Sequence, residues 1–435
     1  MSNLEALAKR YEEGKVKDQL LEYVVFDEVY GQAADKLQEA CRAAATIRCE
    51  ALEKKTGVQL PLIKKSGVDN VAMGNGTILA GIEKKIGAAI IPMGFAGPIK
   101  INGEFAKGEF YIPLATNEAA LVAGMQRGMK AINLAGGINT IVTFDGMARA
   151  PLLQAPDLAS ARAFCRRVVE DRGLLETLGK QIKDPFVKLD YIDPYQLGTK
   201  VFIRIICKTG DAMGMNGVTK AAADISRKLI ELLPDWKLLT ISSNMCCDKK
   251  SSHVNILNGR GKSVQAEVFI PEEALQKVFK PVVTARKVEQ LIFNKCYLGS
   301  CLSGTLGGFN VNASNTIAAF FAATGQDLAH VVSSSTAFLQ AEARDGGLHY
   351  MVSLPTLEIA TIGGGTNFGT AKEALRLLGC GGFGKSFEDN TNVKRLAEIA
   401  IAAVAALDLN TTCAQVDQFE MADSHVKFAR GEKDK

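Results

Sequence analysis

Apolar positions in the first 60 residues recur at helical spacing in a highly charged background: Leu20, Leu21, Val24 and Val25, then Ala33, Leu37 and Ala40. Such spacing gathers apolar side chains into one stripe and predicts two or three amphipathic helices over residues 1–60. From Gly67 the texture changes to glycine-rich segments mixed with apolar runs, as in IGAAIIPMGFAGPIKI at 86–101. Alternation predicts a strand at 108–114, followed by a small-residue helix at 117–134 and a buried strand at 138–144.

A second unit begins near Pro151. The pattern there predicts a strand at 151–154, a helix at 160–170, strands at 187–192 and 200–207, a long helix at 213–233 and a strand at 236–241. That β-α-β-β-α-β order is the split pattern of a ferredoxin-like domain. After Ser242 the glycine-rich texture resumes, with helices expected at 271–280, 287–293, 312–323, 371–378 and 392–407. The simplest organisation is an α+β or mixed fold. A helical region at 1–60 precedes a large α/β domain formed by 61–150 and 241–425. The small domain 151–240 is inserted in it, and 426–435 is a polar, flexible tail. The longest apolar run recognised, TIAAFFAAT at 316–324, falls short of the ~18–20 residues a membrane helix needs. The N-terminus lacks the apolar region of a signal peptide. A soluble, cytoplasmic protein without membrane attachment is expected.

Composition excludes some partners. The chain has 435 residues with 51 Lys+Arg against 47 Asp+Glu, a net charge of +4. Acids and bases are interleaved, so there is no basic footprint for nucleic acid. Ten cysteines without a CxxC pair fit a reducing compartment and give no metal-ligand spacing. Only four histidines are available as imidazole acids or bases. Glycine is the outlier, 41 residues or about 9% against a usual ~7%. Its excess points to tight turns and close backbone approach to a ligand.

Several segments could carry chemistry. GDAMGMN at 210–216 lies where a strand should end and a helix begin, a place where free N–H groups and the helix dipole favour an anion. It is not the GxGxxG fingerprint, and a turn with Asp211 as helix cap is the structural alternative. GGGTN at 363–367 either closes over a ligand or serves as a connector. Asp248-Lys249-Lys250 either holds a lysine for a developing oxyanion or forms a solvated charged turn. Glu118, at the expected start of a helix, is either a dipole-stabilised carboxylate or, if buried, a general acid. Asn315 and Asp327 bracket an apolar helix, and Asp327 must be paired or solvated. His253, His330 and His349 have no obvious partner and are expected to be surface or satisfied histidines. Neither a Gly-x-Ser-x-Gly elbow nor a His-x-x-x-His pair is present, which removes the serine and zinc hydrolase readings.

Taken in order, IPMGFAGP (91–98), PLATNEAALVAG (113–124), FDGMARAP (144–151), GDAMGMN, DKK (248–250) with NGRGKSV (258–264), GQD (325–327), GGGTN and SH (424–425) closely resemble the 3-hydroxy-3-methylglutaryl-coenzyme A (HMG-CoA) reductase family, class I. The resemblance spans residues 60–430. It implies reduction of HMG-CoA to mevalonate and CoA by two NADPH, the committing step of the mevalonate route to isoprenoids. Carried onto matching positions, Lys249 stabilises the substrate oxyanion, Glu118 donates a proton and Asp327 holds the Lys249–Glu118 network. His425 protonates the departing CoA thiolate, with Ser424 beside it. Arg149, Ser242, Lys250 and Asn315 match residues that grip the hydroxymethylglutaryl part. Asp211, Met213, Gly214, Met215, Asn216, Gly364, Gly365 and Arg430 match nicotinamide-cofactor contacts. No metal is implied. The family's active site forms between subunits, so a homodimer is the minimum and a homotetramer the expected assembly.

The chain also departs from the family. A Glu-Asn-x-Ile-Gly dimer motif is Glu83-Lys84-Lys85-Ile86-Gly87 here. Asp184-Pro185 stands where many animal members carry Ser-Arg near the adenosine 2′-phosphate, which keeps NADH open beside NADPH. Gly431 replaces the serine phosphorylated in animal enzymes, and the membrane anchor of animal, fungal and plant members is not expected. Two other functions remain to be weighed: NAD-linked mevalonate oxidation, and non-catalytic binding of a CoA ester.

Overall fold

The computed structural model describes residues 3–66, 72–74, 77–79, 82–384, 386–387 and 389–425, with the side chains of 72–74, 77–79 and 425 left aside. The chain divides into two compact units, residues 1–92 with 367–372, and residues 93–366 with 373–435.

The first unit contains α1 (Asn3–Glu12), α2 (Leu21–Glu28), α3 (Leu37–Thr56), α4 (Pro61–Lys65) and the antiparallel pair β1 (Ala72–Gly74) and β2 (Thr77–Leu79). Of the helical stripe seen in the sequence, Leu21, Val25 and Ala40 enter the unit's core, joined by Leu7, Phe26, Ala44 and Ile47, while Leu20 is exposed. Arg48 is buried on α3 and answers two acids at once. Its Nε donates to Asp18 Oδ1 at 2.6 Å and its guanidinium to Glu22 Oε1 at 2.5 Å. A buried guanidinium needs such pairing, because its desolvation is otherwise uncompensated.

The second unit opens with the hairpin β3 (Met93–Asn102) and β4 (Lys107–Ala115), then α5 (Leu121–Leu134) and β5 (Asn139–Arg149). There follow β6 (Leu152–Gln154), α6 (Leu158–Glu170), α7 (Arg172–Gly179), β7 (Lys188–Leu197), β8 (Lys200–Lys208), α8 (Met215–Leu232) and β9 (Lys237–Thr240). Next come α9 (His253–Asn258), β10 (Gly261–Pro271), α10 (Glu272–Val278) and α11 (Ala285–Leu291), which runs through a π-helical stretch, Ile292–Gly299, into α12 (Ser300–Ser303). The remaining elements are β11 (Gly308–Phe309), α13 (Ala313–Thr324), α14 (Val331–Ser334), β12 (Ala337–Arg344), β13 (Gly347–Leu357), α15 (Gly369–Leu377), α16 (Thr391–Val416) and α17 (Glu420–His425).

One long sheet joins them in the order β11-β12-β13-β10-β5-β8-β6-β9, with β7 paired to β8. The pivot is β5. Residues 139–146 pair with β10, and Met147, Ala148 and Arg149 pair with β8. Residues 152–240 thus contribute β9-β6-β8-β7, every neighbour antiparallel, carried by the chain order β6-α6-α7-β7-β8-α8-β9. Phe164, Ile203, Ile205, Val218, Ile225 and Trp236 fill its core, and the Phe164 and Trp236 rings lie 5.0 Å apart. Helix α7, absent from the expectation above, starts where the Asp171 carboxylate accepts the Leu174 N–H at 2.9 Å. A side-chain cap of this kind restarts a helix within one turn.

Three expectations need correction. Helix 117–134 begins only at Leu121, because Ala120 adopts φ 70° and ends helical pairing upstream. Strands β10, β12 and β13 were not anticipated, although Val264, Ala266, Val268 and Ile270, and Leu348, Tyr350, Val352 and Leu354, alternate inward along β10 and β13. That period of two is the signature of a half-buried strand. Third, TIAAFFAAT is not the longest apolar stretch. Helix α16 is long and apolar enough to cross a membrane, yet 78% of its most apolar window is buried in the protein's own core. Helix α5 presses so closely on α16 that a Cβ on Gly128 would lie 1.8 Å from the Ala406 carbonyl oxygen.

Candidate functional site

The loop 242–250 leaves the end of β9 and bends through three left-handed residues, Asn244 (φ 65°), Cys247 (φ 47°) and Lys249 (φ 57°). The last turn throws the Lys249 ammonium onto Asp327, Nζ to Oδ2 2.9 Å. Asp327 itself begins a short helical turn after α13, its Oδ1 accepting the Ala329 N–H at 3.0 Å. Partial burial pushes the Asp327 carboxyl upward, but the hydrogen bonds from Lys249 and the Ala329 amide outweigh it and hold the group below the usual carboxylate range.

Behind this pair stands a buried ionic cluster. Arg260, fully buried, reaches Glu358 with one arm and Asp248 Oδ1 at 3.2 Å with the other. Asp248 Oδ2 faces Arg149 at 3.6 Å. Arg149, at the end of β5, donates to Thr219 Oγ1 on α8 at 3.0 and 2.8 Å and to Ser242 Oγ at 3.1 Å. His330 is buried among these groups, with Nδ1 against Glu358 and Nε2 3.5 Å from Asp327 Oδ2. Burial, with the Arg260 charge acting the same way, pushes His330 down to about 4 and keeps it neutral at neutral pH. Asp248, His330 and Glu358 converge within 4.8 Å. The Arg260 guanidinium against both carboxylates makes this an ion-pair network rather than a metal-ligand set.

His330 is thus a buried histidine paired through Nδ1, the satisfied one of the two expected readings, with a partner the sequence did not show. The available signal was its position three residues after Asp327, which puts both side chains on one side of a helical turn. Arg260 and Glu358 were also missed. A fully buried guanidinium requires two acids from distant parts of the chain, and that pairing is visible only in three dimensions.

The structure thus gathers Lys249 with Asp327, and Arg149 with Ser242. Lys250 lies on the same loop, exposed, its Nζ donating to the Asp248 carbonyl at 3.2 Å. Glu118 is elsewhere. It sits exposed in the turn before α5, where Asn315 Nδ2 donates to its Oε1 at 3.0 Å. Neither the buried general acid nor the Lys249 contact is formed in the single chain. Glu118, Arg127, Asn315, Asn410 and Ser424 line one cavity of about 520 Å³. The backbone of His425 ends α17 beside Ser424. Arg430 lies outside the described residues.

The two glycine-rich loops meet. Ala212 and Ile362 form a parallel β-bridge, and the Thr361 N–H donates to the Asp211 carbonyl at 3.0 Å. Asp211 is buried, its carboxylate accepting the Gly384 and Val393 amides at 2.7 and 2.9 Å. Its side chain is therefore committed to the fold and does not form the alternative cap on the helix that follows. The residue before α8 is instead Gly214 (φ 86°), without a side-chain cap, so the first amides of α8 keep their donor capacity. Met213 is half-buried, Met215 is buried with its sulfur beside Arg260, and Asn216 is exposed. In the second loop a Cβ on Gly365 would lie 2.5 Å from the Gly325 carbonyl oxygen, while Gly364 (φ 51°) faces open space. Asp184 lies against the first turn of α8, 3.1 Å from where a Cβ on Gly217 would stand.

Comparison with known proteins places this geometry. A family model described as hydroxymethylglutaryl-coenzyme A reductase matches residues 44–430. The 3-hydroxy-3-methylglutaryl-coenzyme A reductase of Pyrococcus abyssi is 40% identical over 390 residues, 89% of this chain and 93% of that one. Its namesake in Methanocaldococcus jannaschii is 40% identical over 403 residues, 90% of this chain and 94% of that one. Among solved structures, a reductase of that name from Streptococcus pneumoniae superposes with a TM-score of 0.58 at 19% identity, covering 76% of this chain and 75% of that one. A class II structure from the same organism, described as bound to NADPH in open conformations, gives the same TM-score at 20% identity, over 76% of this chain and 77% of that one.

Proposed function

The chain belongs to the hydroxymethylglutaryl-coenzyme A reductase family, and on that premise we propose that it reduces HMG-CoA to mevalonate and CoA in two hydride transfers from NADPH. The observation that carries the reading is the 2.9 Å Lys249–Asp327 pair, set beside the Arg149–Ser242 cluster in the unit that also holds the two joined glycine loops.

NADPH supplies the hydride when bound. The uncapped start of α8, with Gly214, Met215 and Asn216, and the loop carrying Gly364 and Gly365 would hold it, since both offer backbone N–H groups without side chains in the way. The protein's own residues do the rest. As the thioester carbonyl gains hydride its oxygen becomes anionic, and the Lys249 ammonium, fixed by Asp327, meets that charge. Collapse of the thiohemiacetal expels a thiolate, which His425 protonates so that CoA leaves as the thiol, with Ser424 beside it. The aldehyde then gains the second hydride at the same oxyanion site, and Glu118 donates the proton. Arg149, Ser242, Lys250 and Asn315 grip the hydroxymethylglutaryl carboxylate and hydroxyl. Asp211, held by backbone amides, shapes the cofactor loop from behind.

Glu118 lies apart from Lys249 within one chain, which supports assembly as a homodimer or homotetramer that completes the site. The burial of α16 supports reading it as the core helix of the protein and not as a membrane span. Mevalonate oxidation and non-catalytic ester binding have no observation that favours them.

The test is to follow oxidation of NADPH and of NADH separately in the presence of HMG-CoA. Oxidation of NADPH with one mevalonate formed per two cofactors is expected. No oxidation of either by folded protein overturns the reading. A rate about tenfold higher with NADH, ~1.4 kcal/mol of discrimination, overturns the choice of cofactor.

A further inference from the structure

Helix α17 has six residues, Glu420–His425, well short of the ~12–15 a helix needs to hold itself in water. Its apolar side chains do little to seat it, since Met421 is 39% exposed and Phe419, just ahead of the helix, 71%. Charge does more. The chain leaves α16 at Asp417 and turns at Gln418, which adopts φ 54°. On either side of that turn a carboxylate is tied to the body of the unit. Asp417 Oδ2 pairs with the Lys280 ammonium, and Glu420 Oε1 accepts from Arg127 Nη1. The second Glu420 oxygen, Oε2, is buried without a hydrogen-bond partner, 3.8 Å from Lys280 Nζ.

Arg127 is itself fixed. Its Nε donates to the Val278 carbonyl at 3.2 Å, and its guanidinium lies over the Phe279 ring, 4.8 Å from the centroid. The Glu420 side chain is 14% exposed and that of Arg127 29%, so salt screens the pair far less than an open surface pair. Arg127, Glu420 and Ser424 line the same cavity as Glu118 and Asn315. The tie therefore sets where Ser424, and His425 next to it in sequence, stand relative to that cavity.

We propose that Glu420 is a positioning residue for Ser424 and His425, its ion pair with Arg127 seating α17 on the cavity for protonation of the departing thiolate. The proposal rests on the reductase reading. The thiohemiacetal oxyanion re-forms a carbonyl as the C–S bond breaks and its electron pair goes to sulfur. His425 then gives the proton of the new S–H bond. Glu420 exchanges no proton in this step and acts only through the placement of α17. Reduction of the free aldehyde expels no thiolate, so that half of the reaction needs neither His425 nor its seat.

The test compares Glu420→Ala with Glu420→Gln in the full-length protein, with NADPH as reductant and either HMG-CoA or free mevaldehyde as substrate. Gln keeps an acceptor oxygen for Arg127, and Ala keeps none. For Glu420→Ala, kcat with HMG-CoA should fall about tenfold while kcat with mevaldehyde stays within about twofold, because a misplaced general acid slows only the step that needs its proton. Glu420→Gln should retain more of the HMG-CoA rate than Glu420→Ala. Equal losses with both substrates mark a purely structural role and overturn the proposal. HMG-CoA turnover of Glu420→Ala within about twofold of wild type, or a Gln variant slower than the Ala variant, overturns it as well.

A second measurement does not depend on turnover. In Glu420→Ala the backbone amides of 420–425 should exchange with solvent about tenfold faster, while those of the buried α16 stay unchanged. Unchanged exchange in α17 shows that the ion pair does not seat the helix and overturns the proposal even if the reductase reading stands. If the wild-type protein reduces neither substrate, that reading falls and the catalytic role of the seat with it, while exchange still decides whether Glu420 holds the helix.

Discussion

Lys249 Nζ and Asp327 Oδ2 lie 2.9 Å apart with both side chains about two-fifths exposed, 43% and 42%. An ion pair that open contributes little to stability, typically 0–1 kcal/mol. Lys249 nevertheless holds φ 57°, a conformation that costs a non-glycine residue roughly 1–2 kcal/mol. Strain retained for a pair that stabilises little points to the site's chemistry as its reason. Lys249→Ala should therefore lower kcat by about 10²–10³ with the circular dichroism of the fold unchanged. Lys249→Gly should lose as much activity and unfold at a slightly higher temperature, by roughly 1 kcal/mol, because glycine tolerates the left-handed turn. A glycine variant that is both active and unchanged in stability would contradict the argument.

Gly365 tests the contact between the GGGTN loop and the GQD segment. A Cβ there would stand 2.5 Å from the Gly325 carbonyl oxygen, backbone that has no rotamer to yield. Gly365→Ala must shift one loop or the other, by up to an ångström, beside both the cofactor loop and Asp327. The expected outcome is a rise of about tenfold in KM for NADPH together with a fall in kcat, and steady-state kinetics with each substrate varied will show it. A change in KM for HMG-CoA alone would mean that the loop serves the other ligand.

The sequence was most legible where periodicity and burial agree. Leu21, Val25 and Ala40 of the helical stripe became part of the core of the first unit, and the order of strands and helices in residues 152–240 emerged from periodicity except for α7. It was least legible where a segment carried two signals. Around GKSVQAEVFI the glycine-rich texture hid the alternation of β10, and α16, expected as a helix at 392–407, was not recognised as the longest apolar stretch of the chain. The site divides in the same way. Lys249, Asp327, Arg149 and Ser242 form two of the expected neighbourhoods, and Ala212 with Ile362 unites the two glycine loops. The Glu358–His330 contact joins residues 28 apart in sequence, and Arg260–Glu358 residues 98 apart. Nothing local marks such pairs.

The approach of α5 to α16 gives a stability prediction. With 1.8 Å between a Cβ on Gly128 and the Ala406 carbonyl oxygen, no rotamer relieves the clash and the helices must separate. Gly128→Ala should gain helix propensity of about 1 kcal/mol and lose more than that to overpacking, typically 1–3 kcal/mol and larger against backbone. Urea unfolding should therefore show a net loss. A stabilised variant would mean that the two helices are not held at this distance.

The final prediction concerns pH. Asp408 is fully buried on α16, and its carboxylate accepts the Val311 and Asn312 amides at 3.1 and 3.2 Å, fixing the start of α13 that carries Asn315. Burial drives its carboxyl up to about 7, against the pull of those two amides and of Lys295. In the unfolded chain an aspartate titrates near ~3.9. Between these values the unfolded state releases the proton first, so this group's contribution to stability falls as pH rises through the window and is constant above about 7. A shift of this size corresponds to a change on the order of 2–4 kcal/mol. Asp408→Asn cannot titrate, but its amide nitrogen faces one of the two N–H donors it should accept, at a cost of about 1–3 kcal/mol. The variant should therefore be less stable than wild type at about pH 5, and the deficit should shrink or reverse at about pH 8. Denaturant unfolding of both proteins across that range measures the difference directly, and parallel stability curves would show that Asp408 does not titrate in this window.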